Sequence, residues 1–289
     1  MNGEYDITTG YLFRRFPEDF VKFTAGESAG EIKLANAIIK QVRYADATAY
    51  ATILSEEGVE KAVIVHIEFQ TDADETMPIR MAGYIGRLIE MYRRPVHASV
   101  IYLRPQKIDD PGVYQHTFPN KFIAEYNVFK IWEYKGKELL AKRILGLLPF
   151  TPLMQHEGVS DYEWMGRCIR TIEEVVQNEQ DKKDLLASTS VLAGLVYELN
   201  FVQTFIPEEI MRQSSVVKAL LEKERIEIIR QKGTQDIISV LEVRFGQVND
   251  KIKNCLTSIQ DEDTLSYLLR QSAVADKEEI ERKILALSA

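Results

Sequence analysis

The chain has 289 residues, 45% of them hydrophobic and 28% charged; this suits one large domain or two ordinary ones and excludes fibrous and low-complexity classes. Lys and Arg number 36 against 44 Asp and Glu, a net charge of −8. That balance disfavours wholesale adhesion to nucleic acid or anionic membrane, so any polyanion contact must come from a local basic face.

Residues 11–25, YLFRRFPEDFVKFTA, read as a helical entry, with Pro17 in an early turn and Leu12, Phe13, Phe16, Phe20 and Phe23 forming a buried stripe. IKLANAIIKQV, residues 32–42, is ambiguous and is assigned to a strand leading into a sheet. Residues 43–54 alternate strictly, placing Tyr44, Asp46, Thr48, Tyr50 and Thr52 on one face and Ala45, Ala47, Ala49, Ala51 and Ile53 on the other. A turn around Gly58 leads to a second strand over 62–70. Pro78 opens a helix of about four turns that Pro95 stops, and VHASVIYLRP, from Val96, is apolar throughout and so a central strand. KIDDPGVYQHTFPN reads as a loop, and a further strand is expected from Ala124 to Tyr134.

From about Leu139 the chain reads as helices, broken near Pro149 to Pro152, Pro207 and Gly233. The expected organisation is an α/β domain over 1–150, a helical region with a charged connecting helix over 151–232, and a small helical module over 233–289 suited to self-association. Cys168 and Cys255 are the only cysteines, too few for a disulfide framework or a cysteine zinc site, which points to a cytoplasmic, reducing setting. The opening MNGEYDITTG lacks the features of a secretory signal, and the apolar runs fall short of the roughly 18 residues of a membrane span, so no membrane partner is expected.

In VIVHIEFQ, residues 63–70, the period of two puts His66, Glu68 and Gln70 on one face and Val63, Val65, Ile67 and Phe69 on the other. If strands 43–54 and 61–70 fold back antiparallel, residues whose numbers sum to 114–116 face one another, and Asp46 lands opposite Glu68 or Gln70. Opposed carboxylates repel unless compensated. A hard divalent cation compensates them, and such an ion polarises phosphoryl oxygens and acidifies bound water. The competing reading of the same spacing is a pair of solvent-facing strand carboxylates.

An Asp on one strand, HxEFQ on the next, then MPxRMxxYIxRL and a VIYL strand together resemble the recombination-promoting nuclease/transposase (Rpn) family of the PD-(D/E)XK nuclease superfamily. The resemblance runs from about Tyr5 to Phe150 through YLFRRFPEDFVKF, ADATAY, VHIEFQTDAD, MPIRMAGYIGRLIE, VIYLRP and GLLPF. It implies a restriction-endonuclease-like mixed sheet flanked by helices, Asp46 and Glu68 as ligands of Mg²⁺ (or Mn²⁺), and Gln70 in the place of the motif lysine. Ala45 replaces the motif proline, which contributes no ligand. The Gln70 departure is more serious, since an amide exchanges hydrogen bonds but carries no charge to steady a hydroxide. Glu18 is the candidate for an additional acidic residue from the first helix, against the plainer reading of a solvated helix-start carboxylate.

On a helical wheel Arg80, Tyr84, Arg87 and Arg94 share a stripe with Met91, while Ala82, Ile85, Leu88 and Ile89 lie broadly opposite. Residues 77–107 hold six Lys or Arg against Glu90 alone, which is the local basic face. Arg80, nearest the acidic strand, is the leading phosphate contact, followed by Arg87, while Arg93 and Arg94 are expected in surface ion pairs. His66 and Tyr84 are auxiliary candidates; a strand histidine is more often simply hydrogen-bonded. TDADET lacks the glycine and distal glutamate of a calcium loop and reads as a rim.

Two readings of different class follow. One is a Mg²⁺-dependent DNA endonuclease with Asp46, Glu68 and Gln70 as its catalytic set, assembling as a homo-oligomer through the C-terminal helices. The other is a non-catalytic DNA-binding or protein-interaction protein on a nuclease-like core.

Overall fold

A computed structural model describes residues 3–26, 31–34, 47–54, 60–259 and 261–287, the Lys223 side chain apart. The chain forms two compact units, Met1–Lys218 and Ala219–Ala289. The first begins with α1 (Gly3–Arg15) and α2 (Pro17–Ala25), followed by β1 (Lys33–Leu34), β2 (Ala47–Leu54), β3 (Glu60–Gln70), α3 (Met77–Tyr92) and β4 (Val96–Tyr102). The helical entry is thus two helices, with Phe16 between them at φ −132° and ψ 54°, because the ring of Pro17 disfavours helical backbone at the residue before it.

β1 to β4 and a later strand, β7 (Asn127–Lys130), make one mixed sheet in the order β1-β2-β3-β4-β7. β2 and β3 are antiparallel, and their partner numbers sum to 114 from Ala47 with Ile67 to Leu54 with Glu60. β3 and β4 are parallel, as the return through α3 requires. Residues 35–46, which hold most of the expected strand at 32–42 and the start of the one at 43–54, lie outside the described residues.

The alternation of apolar residues sorts the sheet into two faces. Ala47, Ala49, Ala51, Val63, Val65, Ile67, Phe69 and Ile101 pack with Leu12, Phe13, Phe20 and Val21 of α1 and α2. The Phe20 ring stands edge-on to Phe69 at 5.8 Å, and Phe69 stacks on Phe150 at 6.1 Å. On the other face Met77, Met81 and Tyr84 of α3 cover Ala98, Val100 and Tyr102.

Beyond β4 the expectations need correction. The expected loop contains β5 (Val113–His116), which pairs with β6 (Phe122–Glu125) in a separate hairpin; β7 (Asn127–Lys130) then joins β4 in parallel. The single strand expected over 124–134 is therefore split, and Ile131–Glu133 is a 3₁₀ turn. The cause lies at Tyr126, whose N–H donates to the Gly112 carbonyl and whose hydroxyl donates to Asp110, turning the chain between the two strands.

α4 (Gly136–Lys142) leads to a buried 3₁₀ stretch, Leu145–Leu153, holding Pro149 and Pro152. α5 (Asp161–Val175), α6 (Glu179–Ala193), α7 (Leu199–Gln203) and α8 (Glu208–Gln213) follow. Met165, Ile169, Ile172, Leu185 and Leu186 belong to the same core as β3, so the compact unit runs past the boundary expected near 150. Asp184, 2% exposed, ties distant segments together. Its carboxylate accepts hydrogen bonds from the Tyr11 hydroxyl, the Gln180 amide, the Ser214 hydroxyl and the Ser215 N–H at 2.6–3.0 Å.

α9 (Ser215–Phe245) is one helix of 31 residues, so the break expected at Gly233 is absent. A lone glycine costs a helix about 1 kcal/mol against alanine, which a helix of this length carries. In the second unit α10 (Asp250–Ser258), α11 (Glu262–Val274) and α12 (Lys277–Leu287) complete a small bundle around Ile237, Leu241, Ile252, Leu256, Leu268, Ile280 and Ile284. Asn249, Asp261 and Asp276 each accept from the backbone N–H three residues on, as helix caps do. Among the described residues no helix is long and apolar enough to cross a membrane.

Candidate active site

β3 carries its polar residues where the period of two predicts, on the face that α3 covers. His66 is fully buried and Glu68 is 1% exposed. A carboxylate at that depth requires compensation, since desolvation disfavours its charge. Arg80 supplies it from α3, with Nη2 donating to Glu68 Oε2 at 3.4 Å, and the Gln70 amide donates to the same oxygen at 3.3 Å.

Arg80 is itself anchored. Its Nη1 donates to Asp74 Oδ2 at 2.7 Å, while Asp74 Oδ1 accepts from the Thr76 N–H and hydroxyl at 2.8 and 2.6 Å. Asp74 thus fixes the turn into α3 and the arginine one turn along it. Burial pushes the Asp74 carboxyl up, but the bonds from Thr76 and Arg80 outweigh it and hold the group below the usual carboxylate value. Burial acts against the Arg80 charge, and the Asp74 and Tyr84 contacts and the Glu68 charge overcome it, so the guanidinium is held more firmly protonated than usual.

Burial lowers His66 to about 4, so the ring is neutral at pH 7. Its Nδ1 lies 3.2 Å from the Ala47 carbonyl, which can only accept, so Nδ1 carries the proton and Nε2 presents a lone pair. Among the described residues Nε2 has no hydrogen-bond partner, and it lies 3.6 Å from Glu68 Oε1. That approach is therefore not an ion pair at neutral pH: two electron-pair donors sit side by side. The Tyr84 ring stands edge-on to His66 at 5.2 Å.

The fold thus brings together His66, Glu68, Gln70, Arg80 and Tyr84. It does not bring Glu18 to them, because α2 covers the opposite face of the sheet, where Phe20 meets Phe69, and Glu18 pairs with Lys22 at 3.9 Å. Asp46 lies outside the described residues. The stripe assigned to α3 also needs correction: Met77, Met81, Tyr84 and Leu88 are the buried line, while Ile79 and Ile89 are exposed. The arginines flank this line. Arg87 is exposed, and among the described residues none of Arg87, Arg93 and Arg94 has an acidic group within ion-pairing distance.

Asp74, read from the sequence only as part of a rim, is the residue missed. Its signal is Asp-x-Thr at a helix start with an arginine six positions on. Tyr102 is a second omission: it is aligned with Gln70 across β3 and β4 and donates to Asp110 at 2.8 Å. Among the described residues no three His, Cys, Asp or Glu side chains gather to hold a metal ion. No family model, curated protein or solved structure matches this chain.

Proposed function

We propose that this chain is a metal-dependent DNA endonuclease of the Rpn type, hydrolysing phosphodiesters on a PD-(D/E)XK core. The observation that carries the reading is the placement of Glu68. It is a buried carboxylate near the C-terminal ends of parallel β3 and β4, faced by an arginine from the crossover helix. In open α/β sheets ligands favour that end of the strands.

The donor set fits a divalent cation, because the free lone pair of His66 Nε2 beside Glu68 Oε1 is an arrangement of donors that a positive ion relieves. Glu68 would hold Mg²⁺ or Mn²⁺, with Asp46 as the second carboxylate. A bound ion supplies Lewis acidity toward a phosphoryl oxygen and acidifies water. The remaining chemistry belongs to side chains. Arg80, kept in place by Asp74, presents guanidinium N–H groups to a phosphate, and the Gln70 amide orients water by hydrogen bonding. Neutral His66 presents its Nε2 lone pair beside Glu68 Oε1 and adds no charge of its own.

The test is nicking of supercoiled plasmid with Mg²⁺ or Mn²⁺ by the purified chain and by Glu68→Gln and Asp46→Ala. The reading expects nicking by the parent and its loss in both variants. Equal nicking by all three, or none with any divalent ion, sinks it.

One observation favours the second reading, a non-catalytic DNA-binding or protein-interaction protein: Arg80 and Gln70 already close over Glu68. Calorimetry with Mn²⁺ separates the two, since only the enzyme predicts metal binding that Glu68→Gln removes.

A further inference from the structure

The β5–β6 hairpin carries aromatic rings that the core does not use. Phe118 at its tip is 87% exposed, and Phe122 is 43% exposed. Cross-strand pairing sets His116 beside Phe122, and their rings stack at 5.7 Å with planes 15° apart. Tyr114 adds a third ring, 6.1 Å from Phe122.

A two-stranded ribbon is marginal alone, so this one needs bracing. α3 packs against both strands, and at the root the Asp110 carboxylate accepts from the Gly112 N–H and the Tyr102 and Tyr126 hydroxyls. The exposed rings therefore stand on a fixed support.

The surrounding charge identifies the occupant. Residues 77–123 hold seven Lys or Arg against Glu90, Asp109 and Asp110; Arg80 and Arg104 pair with Asp74 and Asp72, which leaves Arg87, Arg93, Arg94, Lys107 and Lys121, five cations against three acids, in a chain of −8. Arg87, Lys107 and Lys121 are exposed, and among the described residues no acidic group pairs with them. Gln115, Thr117 and Asn120 separate the rings, so the patch is not the contiguous apolar face that a protein partner would bury. Exposed rings among unpaired cations match the two needs of a nucleic-acid strand, stacking for bases and positive charge for phosphates.

We propose that the β5–β6 hairpin binds unpaired DNA, with Phe118 and the His116–Phe122 pair stacking on bases and Arg87 and Lys121 meeting phosphates. This rests on the DNA part of the reading above and not on cleavage.

The experiment is fluorescence anisotropy of labelled oligothymidylate with the full chain in EDTA, which removes metal-dependent cleavage, across a range of salt. Phe118→Ala should weaken binding about tenfold without changing the salt slope, and Phe118→Trp should retain it. Lys121→Ala should instead flatten the slope of log K against log salt by about 0.7. If the parent binds and Phe118→Ala binds equally well, the hairpin assignment falls and the DNA reading stands. If the parent binds neither oligothymidylate nor duplex, both fall. Capture by vesicles of anionic phospholipid, with no oligonucleotide binding, assigns the hairpin to a membrane and also overturns the proposal.

Discussion

Asp74 and Arg80, six residues apart, are joined by a 2.7 Å hydrogen bond that spans the turn into α3 and aims the guanidinium at Glu68. On the proposed reading the acid would act on a phosphate only through the arginine. Arg80→Ala should slow nicking on the order of a hundredfold, as the loss of one preorganised donor does. Asp74→Asn should have a smaller effect, and the double variant should be no slower than Arg80→Ala. Rates in a double-mutant cycle check this, and additive losses would show that Asp74 has a role of its own.

His97 gives a pH dependence of stability away from the carboxylate site. Burial lowers its pKa, against the raising effect of its hydrogen bond to the Thr24 carbonyl at 3.0 Å. A histidine with a folded pKa below its unfolded value takes up its proton more readily when unfolded. Its protonation therefore removes stability as pH falls below about 6.5. Urea midpoints at pH 7 and 5 should differ less for His97→Gln than for the parent. Equal differences would mean that this ring does not contribute.

Gly112 is the third test, because its backbone is at φ +68° and an added Cβ would lie 2.8 Å from the Tyr126 carbonyl oxygen. Neither the backbone nor a flexible side chain can relieve that approach cheaply. Gly112→Ala should cost about 1–3 kcal/mol in urea unfolding. A loss below about 0.5 kcal/mol would show that the turn relaxes.

Local period made part of this molecule legible. The faces of β3 follow from alternation alone, α3 is framed by Pro78 and Pro95, and the antiparallel β2–β3 register falls within the expected range. The rest turns on contacts between residues far apart or on burial decided by the sheet. The chain bends at Tyr126 because of Gly112 and Asp110, which no window around 124–134 contains. Tyr84 lies beside arginines on a wheel, yet it packs inward because its ring meets His66. Asp74 looked like loop acid until the helix beside it placed Arg80. The expected boundary near 150 followed the end of the strands, whereas the core continues into α5 and α6.

The four donors around Asp184 come from Tyr11, Gln180, Ser214 and Ser215. During synthesis, then, α1 cannot find its final seat until a stretch some two hundred positions downstream has left the ribosome. A chain released near Phe150 would leave α1 and the buried 3₁₀ stretch without α5 and α6, which pack against them.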